Sequence, residues 1–105
     1  MEDDLSSRLG QVSDLELVII AQSSNHDASA AQLCLLKRYE PLISSTAHRI
    51  AARPDMQSDV RQAASLGLLE AVHRFDPSHG AAFPAYAKVW VEGAAKSYVS
   101  GEVAY

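Results

Sequence analysis

The sequence predicts an all-α domain, a compact bundle of about four helices. Three observations carry that reading. Apolar residues recur at helical spacing, no segment reads as a credible strand, and the stretches between periodic runs hold residues that start and stop helices. At 105 residues and 48% hydrophobic composition, the chain has one domain's length and ample material for one core.

The elements follow in order. Ser13-Asp-Leu-Glu16 has the form of a capping box, in which Ser13 accepts from the backbone N–H of Glu16. It opens a short apolar helix from Leu15 to about Gln22. Residues 23–26 are a loop, and Asp27 is the expected N-cap of the next helix. That second element runs from about Ala28 to Ala52, with a break or kink expected at Pro41, which removes a donor and disfavours helix in Glu40. Arg53-Pro54-Asp55 is a turn before a third helix from about Ser58 to Phe75. Asp76 to Gly80 forms a second turn, and Pro84 suits the first turn of a fourth helix. The expected organisation is an acidic N-terminal tail over 1–13, a helical domain over 14–100 and a short tail over 101–105.

Charge and composition exclude several classes of function. The net charge of −4 argues against holding nucleic acid mainly through the overall field. It is unevenly spread: residues 1–27 carry six acids and only Arg8, whereas residues 28–105 carry eight Lys or Arg against seven acids. The acidic leading segment reads either as a solvated tail or as a contact for a basic partner. The densest apolar run, Leu15 to Ala21, is too short to span a bilayer, and the acidic N-terminus does not resemble a signal peptide. With Cys34 as the single cysteine, a cytoplasmic protein with no membrane partner is expected. His26, His48, His73 and His79 include no pair at ligand spacing, and neither a phosphate-binding glycine loop nor a nucleophile elbow occurs. No catalytic residue, metal or cofactor is expected. The chain reads as a binding module, not an enzyme.

On a helical wheel of the third helix, Val60, Ala64, Leu68, Ala71 and Phe75 form the core face. Asp59, Gln62, Leu66 and Leu69 fall nearly opposite, and a polar face with two leucines reads either as a docking surface or as a second buried side. In the fourth helix Phe83, Tyr86 and Trp90 share a stripe, open to two readings: core, or a platform for single-stranded bases. Lys88, Glu92 and Lys96 form a row at i,i+4 spacing that reads as a self-neutralising solvated face.

The run from Asp59 to Gly80, DVRQAASLGLLEAVHRFDPSHG, is similar to the sigma factor signature DLxQEGxxGLxxAVxxFDPxxG. Phe83-Pro-Ala-Tyr86-Ala87 with Trp90 resembles the FSTYAxxW segment of the same family, and Arg38-Tyr39-Glu40-Pro41-Leu42 resembles its RYxPLV stretch. The resemblance to region 2 of sigma-70-type transcription initiation factors covers about residues 14–100. It implies an all-helical domain with two surfaces. Asp59, Gln62, Ser65, Leu66 and Leu69 would bind the clamp-helix coiled coil in the largest subunit of core RNA polymerase. The surface from Arg74 through Lys96 would recognise and open the −10 promoter element, with Phe83, Tyr86 and Trp90 stacking on non-template bases and Arg74, Lys88 and Lys96 as candidate phosphate contacts.

Departures from the family pattern are expected to weaken these surfaces. Ala63 and Ala64 stand where Glu and Gly are usual, and Arg61 replaces an apolar residue near the core face, where it must snorkel or find a partner. Val89 stands in for one member of a tryptophan pair, Ala81 and Ala82 replace an aromatic and a basic residue, and Glu92 would face phosphate unfavourably. A second reading is therefore a sigma-like adaptor or decoy that binds polymerase or an anti-sigma protein without melting DNA. A third is a helical scaffold whose motif match is residual. No second helix-turn-helix domain for a −35 element follows, which leaves a stand-alone domain and a piece of a longer factor both open.

Overall fold

Pro41 divides the expected second helix in two. In the computed structural model, which describes residues 8–101, five helices and two single 3-10 turns follow one another. We label the helices α1 (Asp14–Gln22), α2 (Ala28–Arg38), α3 (Glu40–Ile50), α4 (Gln57–Arg74) and α5 (Phe83–Ser100). No strand occurs among the described residues. Most of the expected N-terminal tail and of the C-terminal tail, residues 1–7 and 102–105, lies outside them. Of the rest of that leading stretch, Leu9 is buried against the core.

The break falls on one residue. Tyr39 closes α2 with its N–H on the Leu35 carbonyl at 2.9 Å, and its own carbonyl accepts from Ile43 at 3.0 Å to start α3. Pro41 then sits in the first turn of α3, where its missing N–H has no intrahelical partner to lose. The Asp14 carboxylate clamps this corner. It accepts from Arg38 at 2.8 Å and from the Tyr39 hydroxyl, while Arg38 also reaches the carbonyls of Leu9 and Gly10 at 3.3 Å each. Burial, and secondly the bond to Asp14, push the Tyr39 hydroxyl well above the ordinary tyrosine range. The Arg38 guanidinium is raised first by its hydrogen bond to Asp14.

Capping follows the sequence reading at α1, where Ser13 Oγ accepts from the Glu16 N–H at 3.2 Å. It departs from it at α2. Asp27 occupies the cap position but makes no side-chain cap bond; its N–H donates to Asn25 Oδ1 at 2.9 Å in a turn of the preceding loop. Asn25 organises that entry because its short amide reaches the backbone two residues on.

Helices α4 and α5 form an antiparallel hairpin around the densest part of the core. Val60, Ala64, Leu68, Ala71 and Phe75 are all buried, as the wheel requires. Gly67 lets the two backbones meet: a Cβ there would lie 2.6 Å from the Trp90 carbonyl oxygen and 2.7 Å from the Ala94 Cβ. Helix α1 is tied to the end of α4 by Gln22, whose amide donates to the carbonyls of Val72 (2.8 Å) and Phe75 (2.9 Å). Those carbonyls belong to the last turn of α4 and its cap, which no following turn satisfies. The core also takes in Thr46, whose hydroxyl is buried with no hydrogen-bond partner among the described residues, a desolvation cost of about 1–3 kcal/mol.

Candidate functional site

The outward side of α4 is a surface. Asp59, Gln62 and Leu66 are exposed, Leu66 to 57%, and Ser65 and Leu69 are half-buried at its margin. The reading in which α4 is covered on both sides does not hold within the described residues. Ser65 turns its hydroxyl back to the Arg61 carbonyl at 3.0 Å, while the side chains of Asp59 and Gln62 make no hydrogen bond to another described residue. His73 lies seven residues beyond Leu66 and four beyond Leu69, so it extends the same exposed strip. The repeat that marked the leucines could have found it.

Arg61 neither snorkels nor enters the core. It is ion-paired with Glu40 at the start of α3, and Ser44 donates to the same carboxylate oxygen at 2.6 Å. The Ser44 hydroxyl, with Arg61 adding to it, holds the Glu40 carboxyl below its ordinary range. The pair bridges α3 and α4 beside the exposed strip. Next to it a shallow cleft of about 530 Å³ opens between Ser44, His48, Pro54, Gln57 and Arg61. Among the described residues no group of three or more His, Cys, Asp or Glu is placed to hold a metal.

The turn between α4 and α5 sets up the second face. Asp76 caps it, accepting from the Ser78 N–H at 2.9 Å and the Ser78 hydroxyl at 2.7 Å, and these bonds lower its carboxyl. Gly80, at φ 81°, takes the left-handed conformation that ends the turn. An aromatic chain then runs outward from the core. Phe83 meets Tyr39 edge-on at 5.6 Å between centroids and Phe75 at 5.3 Å; Tyr86 tilts against Phe75 at 5.4 Å and against Trp90 at 6.1 Å.

This placement corrects the expected stacking stripe. Phe83 is 3% exposed, with its edges taken by Tyr39 and Phe75, so no base can reach it. Its position at the first turn of α5 points it into the hairpin. Tyr86 and Trp90 are half-buried and reach the surface. Arg74 comes to them from the end of α4, its Cζ 5.3 Å from the Trp90 ring centroid.

Lys88 and Lys96 are exposed, but Lys88 is not brought to the aromatic pair; two residues back from Trp90, it sits roughly 160° around the helix at 3.6 residues per turn. The Lys88, Glu92 and Lys96 row is not self-neutralising either. Glu92 turns to α3 and pairs with Arg49 at 2.6 Å. It therefore spends its charge on a neighbouring helix and does not point it at the aromatic face.

The model of the family Sigma-70 region 2 matches residues 35–103, about two thirds of the chain. The chain belongs to that family. The match holds α3, α4 and α5 whole, and with them both faces of this sigma region 2 domain. Among curated proteins, the chain is similar to the RNA polymerase sigma-F factor of Kitasatospora aureofaciens, 36% identical over 69 residues, covering 66% of this chain and 23% of that one. It is similar to the RNA polymerase sigma-B factor of Bacillus anthracis, 35% identical over 81 residues (77% and 32%). It is also similar to the RNA polymerase sigma factor FliA of Pseudomonas aeruginosa, 35% identical over 74 residues (68% and 30%). The matched part of the chain thus spans 23–32% of the length of these relatives. No solved structure gave a significant match.

Proposed function

We propose that this domain acts in transcription initiation, as a non-enzymatic factor that binds core RNA polymerase and engages the −10 promoter element. The observation that carries the reading is the strip on α4. Exposed Leu66, flanked by Asp59 and Gln62 and bordered by Ser65 and Leu69, lies on the outer side of the helix whose inner side is the core. A solvent-exposed leucine set among exposed polar side chains is suited to a protein interface. The family resemblance assigns that strip to the clamp helices of the largest polymerase subunit.

On the second face, Tyr86 and Trp90 are the residues that would stack on non-template bases. Stacking contributes about 1–3 kcal/mol per base, enough to offset much of the unstacking cost. Arg74 stands beside them as the nearest phosphate contact, with Lys96 as a candidate contact farther along α5 and Lys88, across the helix, left out of that face. Phe83 supports the pair from within.

Two titrations of the purified domain test this. One measures affinity for core RNA polymerase, the other for a single-stranded −10 oligonucleotide, each with wild type beside Tyr86→Ala. Binding to both, with Tyr86→Ala weakened on DNA alone by about five- to a hundredfold, is the expected result. Polymerase binding without any DNA binding would make the domain an adaptor, and binding to neither would refute the proposal.

A further inference from the structure

Trp90 is the single tryptophan of the chain, and its ring is covered. The Arg74 guanidinium lies over it at 5.3 Å, within cation–π range. The same side chain donates from Nε to Glu70 Oε2 at 2.7 Å. Glu70 and Arg74 are four residues apart on α4 with the acid nearer the N-terminus, the favourable order for such a pair. The guanidinium is thus held by a carboxylate of its own helix against an aromatic face of the neighbouring one. Glu70 is given no role by the helical wheel or by the family resemblance.

We propose that Glu70 is a positioning residue that keeps Arg74 as a cover on Trp90 in the free domain, and that single-stranded DNA lifts the cover by exchanging the Glu70 carboxylate for a phosphate. This deepens the −10 reading given above and rests on it. A cation on a ring face and a base stacked on that face exclude each other, so Arg74 must move before that face of Trp90 can take a base. Phosphate and carboxylate offer a guanidinium the same kind of acceptor. The Glu70 pair is exposed, with 56% of the Arg74 side chain and 41% of the Glu70 side chain open to solvent, so solvent screens it. One displacement therefore makes a backbone contact and bares a stacking surface together. Trp90 is kept from indiscriminate apolar contact until a phosphate arrives.

The single tryptophan supplies the readout. Acrylamide quenching of Trp90 fluorescence would be measured on the free domain for wild type, Glu70→Gln and Arg74→Ala, with circular dichroism confirming equal helix content. Each protein would then be titrated with a single-stranded −10 oligonucleotide. The proposal expects a raised quenching constant in both variants. It expects about two- to fivefold tighter oligonucleotide binding by Glu70→Gln, the size of an exposed ion pair no longer competing, and weaker binding by Arg74→Ala, which loses the phosphate contact. An unchanged quenching constant in Glu70→Gln, or oligonucleotide affinity that stays equal or falls, overturns it. If wild type does not bind the oligonucleotide at all, the −10 reading fails and the exchange with it, while the quenching arm still decides whether Glu70 holds the cover.

Discussion

The two faces of this domain are built in opposite ways. The α4 strip is an outer surface: Asp59, Gln62 and Leu66 project from a helix whose core side is already complete, and little inside the domain depends on them. The aromatic face is the end of the core itself, continued outward through Phe83, Phe75, Tyr86 and Trp90. A surface of the first kind can vary without loss of fold. In one of the second kind the rings proposed for recognition also carry stability.

The strongest way to break that comparison is Phe83→Ala. If Phe83 is core, unfolding stability falls by about 3–5 kcal/mol, and Phe83→Leu, which refills most of the space, binds a −10 oligonucleotide like wild type. Oligonucleotide affinity lost in a stably folded Phe83→Leu protein would return Phe83 to the stacking stripe. Gly67→Ala comes next. Its Cβ would collide with the Trp90 carbonyl and the Ala94 Cβ, so denaturant titration should show a loss of about 1–3 kcal/mol from forced backbone shift, accompanied by a change in Trp90 fluorescence.

A smaller effect belongs to the corner between α2 and α3. Tyr39 holds its proton more tightly folded than unfolded, so its contribution is fully present below the ordinary tyrosine value of about 10. It is lost as pH rises from there through the higher folded value. Stability measured from pH 8 upward should decline more steeply in wild type than in Tyr39→Phe, and parallel curves would remove the Tyr39–Asp14 clamp from the account. The least effect on stability is expected at the α4 strip. Leu66→Ala should leave the unfolding free energy within about 0.5 kcal/mol of wild type; a larger loss would mean that the strip is partly core.

What the sequence made legible divides along the same line. Periodicity separated the outer side of α4 from its core side, because that division depends only on position along one helix, but it left open whether the outer side was covered; Asp59, Gln62 and Leu66 are exposed there. Pro41 announced the α2–α3 break for an equally local reason. The aromatic face was harder, since it depends on which helix packs where. Phe83, Tyr86 and Trp90 share a stripe by spacing, yet the approach of Tyr39 and Phe75 buries the first and leaves the others at the surface. Arg61 with Glu40, Arg49 with Glu92, and Arg74 over Trp90 all join different helices, and no spacing within one helix reveals them. Glu92 accordingly read as a hindrance to DNA when its charge is directed at α3.

The central claim is that docking lives on α4 and can be separated from the aromatic face. Its most direct test is the affinity of the domain for core RNA polymerase, measured for wild type, Gln62→Ala, Leu66→Ala and Tyr86→Ala. The account predicts that Gln62→Ala and Leu66→Ala weaken binding by about five- to thirtyfold, as truncation of interface residues worth 1–2 kcal/mol would, and that Tyr86→Ala binds like wild type. Equal affinity across all four, or loss in Tyr86→Ala alone, would contradict it.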